Sequence, residues 1–138
     1  MLGVDAGERR IGLALSDELR LLASPLAVLD RTRGLAPVLN EMLSLVHREG
    51  ARSIVVGLPL NADGSEGRQA RRARDFARAA ERVIGLPVAL WDERLSTKEA
   101  HAIIRARGGR RPEHVDAVAA AVILQDYLDA QRREEPTC

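Results

Sequence analysis

The segment Ser53-Ile54-Val55-Val56-Gly57-Leu58 constrains the fold more than any other. It is a continuous apolar run rich in β-branched residues, with none of the polar alternation of a strand that keeps one face in water. Strands of this kind are buried on both faces and usually pair in parallel. Parallel pairing needs long crossovers, so helices should pack on the faces of the sheet.

The segments around it fit that requirement. Upstream lie three strand-like stretches, Leu2 to Ala6, Arg10 to Ser16 and Leu21 to Leu29. The breaks between them, Gly7-Glu8-Arg9 and Asp17-Glu18, suit tight turns, which predicts an antiparallel meander. Leu35, Val38, Leu39, Met42, Leu45 and Val46 then keep helical spacing, and Gly50 can end that helix. After a polar loop, Asn61 to Gly67, a second helix carries Ala70, Ala73, Phe76, Ala77, Ala80, Val83 and Ile84 on one face. Gly85 and Pro87 stop it. Pro87 to Trp91 reads as a fifth strand, Ser96-Thr97-Lys98-Glu99 as a capping box that starts a helix, and Gly108 to Pro112 as a basic loop. A last helix runs from about Val115 to Gln131. The order βββ-α-β-α-β-α-α predicts an α/β fold: one domain over residues 1–138, a mixed sheet with helices on its faces, and a frayed charged tail from Arg132 to Cys138.

Composition narrows the function. A chain of 138 residues can bury a core of its own. It has no run of 18 apolar residues and no charged-then-apolar leader, so neither a membrane span nor a signal peptide is expected. The one cysteine, Cys138, cannot form an intrachain disulfide, and a reducing cytoplasm is the expected setting. The formal net charge of +1 selects no partner by itself. Lys98 is the only lysine, an arginine bias that genomic base composition explains well enough. Phe76, Trp91 and Tyr127 are the only aromatics, too few for a binder that stacks single-stranded bases.

The chemistry comes from misplaced carboxylates, because acids are rarely buried unless paired or metal-bound. Asp5 ends the first strand. Glu93 follows the fifth. Asp116 is the only polar residue in Val115-Asp116-Ala117-Val118-Ala119-Ala120-Ala121-Val122-Ile123-Leu124. Each has an ordinary explanation: a turn before Gly7, a solvated loop before Ser96, and a helix N-terminus that favours an acid by ~0.3–1 kcal/mol. Together, two at strand ends and one entering an apolar helix, they can converge. Three converging acids repel unless cations lie among them, and a pair of hard cations is a standard device for attack on a phosphodiester.

Asp5-Ala6-Gly7-Glu8-Arg9-Arg10-Ile11-Gly12 resembles the opening motif of the YqgF (RuvX) family, a ribonuclease H-like family similar to RuvC Holliday junction resolvases. The resemblance continues at Gly57-Leu58-Pro59-Leu60-Asn61 with Asp63-Gly64, at Asp92-Glu93-Arg94-Leu95-Ser96-Thr97, and at Asp116-Ala117-Val118-Ala119-Ala120 with Ile123-Leu124-Gln125-Asp126-Tyr127-Leu128. It implies a five-stranded sheet of order 3-2-1-4-5, with Asp5, Glu93 and Asp116 as catalytic, metal-binding acids. The implied cofactor is Mg²⁺ or Mn²⁺, at a two-metal site. Arg9 and Arg94 match motif arginines that could contact phosphate. The implied activity is hydrolysis of structured nucleic acid, either 5′-end maturation of pre-16S ribosomal RNA or cleavage of four-way DNA junctions. A junction resolvase makes two symmetric cuts, so that reading predicts a homodimer.

In that strand order the fifth strand lies two spacings from the first, ~9.5 Å. Glu93 must therefore lean inward, with Asp92 and Asp63 as rival ligands if it does not. Arg107, Arg110 and Arg111, beside Asp116, are expected to touch phosphate. The arginines from Arg68 to Arg82 read first as a solvated helix face, and His47 and His101 as helix-surface residues. Two other functions compete. A phosphate-transferring ATPase of the sugar-kinase type also opens with Asp-X-Gly, but needs a second domain. A non-catalytic nucleic-acid or protein-binding module could share the fold.

Overall fold

The computed structural model describes residues 1–93 and 115–134. The expected Ser96 capping box, the Gly108 to Pro112 loop, Arg94, Arg107, Arg110 and Arg111 lie outside the described residues. Strands β1 (Leu2–Ala6), β2 (Arg10–Ser16) and β3 (Ala23–Asp30) come first. Helix α1 (Leu35–Glu49), strand β4 (Ile54–Leu58), helix α2 (Arg68–Ile84), strand β5 (Val88–Asp92) and helix α3 (Val115–Glu134) follow. The sheet has the order β3-β2-β1-β4-β5. β1, β2 and β3 are antiparallel neighbours, and β4 is parallel to both β1 and β5.

Alternation along each strand sorts its side chains onto two faces. Leu2, Val4, Ile11, Leu13, Ile54, Val56 and Leu58 join Val38, Leu39, Met42 and Val46 of α1 and Ala70, Ala73, Phe76, Ala77 and Ala80 of α2 in one core. This is why Ile54–Leu58 carries no polar residue. Helices α1 and α2 both end on glycines in the left-handed region, Gly50 (φ 71°) and Gly85 (φ 79°), where L residues are disfavoured.

The opposite face is made of small residues. Ala14, Ala23 and Val55 pack against Ala120, Ala121, Val122, Leu124 and Leu128 of α3. Gly3 lies beneath the same helix, and a Cβ on it would come 2.7 Å from Leu124 Cβ and 3.0 Å from the Ala120 carbonyl oxygen. The helix therefore rests almost directly on the backbone of the sheet. Gln125, buried in this layer, fixes its position along the strands. Its Oε1 accepts from Ala23 N (2.9 Å) and its Nε2 donates to Leu21 O (3.0 Å). Asp116 lies nine residues upstream, roughly 13–14 Å along the axis at 1.5 Å per residue, at the other end of the sheet.

Two boundaries differ from the sequence reading by more than one residue. β3 begins at Ala23 rather than Leu21, because Asp17 Oδ1 accepts hydrogen bonds from Leu21 N (2.7 Å) and Leu22 N (3.1 Å). The backbone donors of those two leucines are thus spent closing the loop. Helix α3 runs to Glu134 rather than Gln131, and Arg132 pairs with Asp129 one turn back.

Candidate active site

Asp5 lies near the C-terminal end of the central strand and shares its face with Gly3, under α3. Its partner on β2 is Gly12. On the other side, the parallel register Val4↔Val56 carries on toward Gly57 of β4. Directly across from Asp5, neither flanking strand therefore offers a side chain. Burial, and then the negative charge of Asp116, push its pKa up from the usual carboxylate range to about 6. Both causes disfavour the anion.

Glu93 follows β5 and leans inward across β4. A Cβ on Gly57 would collide with Glu93 Oε1 and would lie 2.5 Å from Ile123 Cδ1 of α3. The absent side chain at position 57 is what lets an acid from the edge strand reach toward the centre of the sheet. Glu93 is raised further than Asp5, to about 7, by burial first, then by Asp5, then by Asp92. Asp5 therefore stands between the two others: Asp116 raises it, and it raises Glu93. Of the rivals, Asp63 is taken up in its own loop, where its Oδ1 accepts from Ser65 N (2.9 Å) and Ser65 Oγ (2.6 Å). Asp92 has the strand parity of Val88 and Leu90, which pack on the α1/α2 core.

Asp116 opens α3 directly over β2. A Cβ on Gly12 would run into the Asp116 carbonyl oxygen and come 3.0 Å from Ala117 N. Gly12 therefore admits the first turn of α3 to the sheet. The Asp116 carboxylate is turned to Arg10 at the start of β2, with Nε and Oδ2 2.9 Å apart. The Arg10 side chain is 66% exposed and that of Asp116 26%, so this ion pair contributes only ~0.2–1 kcal/mol to stability. Among the described residues, no three His, Cys, Asp or Glu side chains are gathered as a ready metal cage. Asp5 is in electrostatic range of both other acids, and Asp116 is at the same time paired with an arginine.

Arg9, in the β1–β2 turn, is exposed. With Arg10, Val28, Asp30 and Thr32 it lines a recess of about 370 Å³. Sequence reasoning missed Arg10, which stands beside the site although Arg9 was singled out. Strand alternation held the signal, since Arg10 has the parity of Gly12 and Ala14 and so faces α3. A larger cavity of about 540 Å³, lined by Met1, Ser16, Asp17 and Arg52 among others, opens at the other end of β1. The α2 arginines belong to a solvated face: Arg74 pairs with Glu66 and Arg78 with Asp75. His47 is exposed on α1.

No described helix is long and apolar enough to cross a membrane. In overall fold the chain is similar to RuvC of Thermus thermophilus, solved in complex with a Holliday junction substrate. The TM-score is 0.65 at 21% identity, over 97% of each chain. Sequence relatives are much nearer. A protein of Gluconobacter oxydans (strain 621H) is 44% identical over 99% of this chain and 87% of its own length. One of Anaeromyxobacter sp. (strain Fw109-5) is 48% identical over 94% and 96%. Both carry the name "Putative pre-16S rRNA nuclease". The profile of the RuvX family, described as Holliday junction resolvase, matches residues 1–130. With the β3-β2-β1-β4-β5 sheet in place and all four motif regions inside that match, the chain belongs to the RuvX family of nucleases.

Proposed function

We propose that the chain is a divalent-metal-dependent endonuclease that trims structured ribosomal RNA precursor, with Asp5, Glu93 and Asp116 as its metal-binding acids. One observation carries the proposal: Asp5 and Glu93 are half-buried in one electrostatic cluster, where Asp5 raises the pKa of Glu93 and Asp116 raises that of Asp5. Such a cluster is costly by itself and is relieved by a cation. The donors are all hard carboxylate oxygens, which fit Mg²⁺ or Mn²⁺ rather than a softer metal. Asp116 joins the set when its side chain turns from Arg10 toward Asp5.

A bound pair of such ions would supply charge neutralisation and a water activated for in-line attack. The chain's own residues do the rest. Gly12 and Gly57 place no side chain of their own beside Asp5, which leaves room for Glu93 and for the first turn of α3. Arg9 stands exposed beside it, a donor for substrate phosphate. Arg94, Arg107, Arg110 and Arg111 are proposed to bind further phosphates. The RNA substrate is favoured because relatives at 44% and 48% identity bear an RNA nuclease name, whereas the junction-bound neighbour shares only 21%. That substrate implies work in the cytoplasm.

The test is a cleavage panel of ribosomal RNA precursor, single-stranded RNA, duplex DNA and a four-way DNA junction, with Mg²⁺, Mn²⁺ or EDTA. Metal-dependent cleavage of the precursor at its 5′ region, lost in Asp5→Asn, is the expected result. Cleavage of the junction alone would move the substrate to DNA and require two active sites, hence a dimer. Binding without cleavage under every metal would leave a non-catalytic module.

A further inference from the structure

Arg10 is the one described cation bonded to an acid of the proposed site, and its role is open. We propose that Arg10 is an exchangeable counter-ion: it holds Asp116 while the site lacks metal, and passes to a substrate phosphate once metal takes the carboxylate. The proposal rests on the metal-dependent reading above and deepens it, because it makes metal binding and nucleic-acid binding assist each other.

Three features support the exchange. The guanidinium meets Asp116 through Nε at 2.9 Å, and an arginine presents several further donors in a planar fork. Its backbone is fixed while most of its side chain lies in solvent. Arg10 O accepts from Gly7 N (3.1 Å) in the β1–β2 turn, yet the side chain is 66% exposed. Finally, the recess beside it, of about 370 Å³, is open and is shared with Arg9. A guanidinium released from Asp116 needs only side-chain rotation to enter a space that already carries a second arginine. Asp30 also borders that recess, but its Oδ1 is engaged by Thr32 N (2.8 Å) and Thr32 Oγ1 (2.7 Å).

The arrangement makes an unusual prediction about sign. Removing a residue from a metal site normally weakens the metal; here it should strengthen it, since a resident competitor is removed. By linkage, a metal that displaces Arg10 frees it for phosphate, so metal should tighten nucleic acid and nucleic acid should tighten metal by the same factor.

Mn²⁺ affinity is measured by calorimetry on wild type, Arg10→Gln, Arg10→Lys and Asp5→Asn, without nucleic acid. Affinity for a labelled ribosomal RNA precursor fragment is measured in EDTA and in Ca²⁺, used in place of Mg²⁺. Arg10→Gln should bind Mn²⁺ several-fold more tightly than wild type. The Ca²⁺-dependent gain in RNA affinity, expected to be roughly fivefold or more in wild type, should largely vanish in Arg10→Gln. Arg10→Lys, which keeps the charge without the fork, should fall between the two and serves as the measured variant if Arg10→Gln folds poorly. Unchanged or weaker Mn²⁺ binding in Arg10→Gln overturns the exchange. Tighter Mn²⁺ binding with an undiminished Ca²⁺ gain overturns it too, since Arg10 would then act on the metal by charge alone. If Asp5→Asn binds Mn²⁺ like wild type, the metal site is elsewhere and the underlying reading falls with the exchange.

Discussion

The carboxylate of Glu93 occupies the space that a side chain on Gly57 would fill. An acid at the end of an edge strand thereby comes within electrostatic range of Asp5 on the central one. Gly57→Ala should therefore damage the site more than the fold. The clashing atoms, Glu93 Oε1 and Ile123 Cδ1, are ends of flexible side chains that can give way. The strain of ~1–3 kcal/mol is partly offset by the ~0.5–1 kcal/mol that alanine gains over glycine in a strand. Metal affinity should fall by roughly 10–100-fold, the size of effect seen when a ligand is deprived of its support. Calorimetry with Mn²⁺ and thermal unfolding of the same protein check both halves.

Gly12→Ala should cost the fold more than Gly57→Ala does. Its Cβ meets backbone, the Asp116 carbonyl oxygen and Ala117 N, and backbone cannot rotate aside. The first turn of α3 must lift from β2, at a cost of about 3 kcal/mol, the upper end for overpacking. A melting temperature within 2 °C of wild type would contradict this account of how α3 sits on β2 (about 2–4 °C per kcal/mol is usual for domains somewhat larger than this one).

Asp5→Asn should reduce metal-dependent cleavage by more than roughly 100-fold, beyond the effect of removing a supporting residue. It should leave the metal-free protein as stable as wild type or more so, because it removes a charge disfavoured by burial and by Asp116. Urea unfolding in EDTA measures the second part, and full cleavage by the folded variant would remove Asp5 from the chemistry.

The two raised carboxyls fix the pH dependence of stability. Asp5 goes from 3.8 to about 6 on folding and Glu93 from 4.5 to about 7. Between those limits the folded state binds more protons than the unfolded one, so these groups make stability fall as pH rises. Their destabilisation is absent below about pH 4 and complete above about pH 7. Mg²⁺ should reverse the trend, because it binds the deprotonated form and stabilises the native state by mass action. Unfolding in EDTA and in Mg²⁺ from pH 4 to 8 should give curves that diverge toward high pH. Asp116→Ala should show a smaller Mg²⁺ shift than wild type; equal shifts would exclude it as a ligand.

Replacing Arg107, Arg110 and Arg111 by alanine should weaken nucleic-acid binding with little change in metal affinity. Each arginine that no longer neutralises a phosphate flattens the plot of log affinity against log salt by roughly 0.7–0.9, so three would change the slope by about two to three units. An unchanged slope would transfer the binding face to another surface, the Arg68 to Arg82 helix first.

The fold was legible because its signals are local. The apolar run at Ile54–Leu58, the periodicity of α1 and α2, and the stops at Gly50 and Gly85 each report on a few neighbouring residues. The family motifs then supplied the strand order. What stayed hidden depends on contacts between distant parts of the chain. Leu21 and Leu22 read as strand, but Asp17 draws their backbone into a loop. Nothing local to Gly12 or Gly57 tells a turn glycine from a point of close approach, and only the packing of α3 and Glu93 on them decides. The Arg10–Asp116 pair spans more than a hundred residues of sequence, so nothing near either residue announces the other.

The glycines and alanines beneath α3 set an asymmetry in how this molecule tolerates change. On the α1/α2 face one aliphatic side chain can replace another, and volume can move in either direction. On the α3 face volume is already at its minimum at Gly3, Gly12 and Gly57, so every substitution is an enlargement. Engineering for heat resistance commonly replaces glycine by alanine to restrict the unfolded chain. In this protein that strategy meets a hard boundary along one helix, and the boundary runs through the acids.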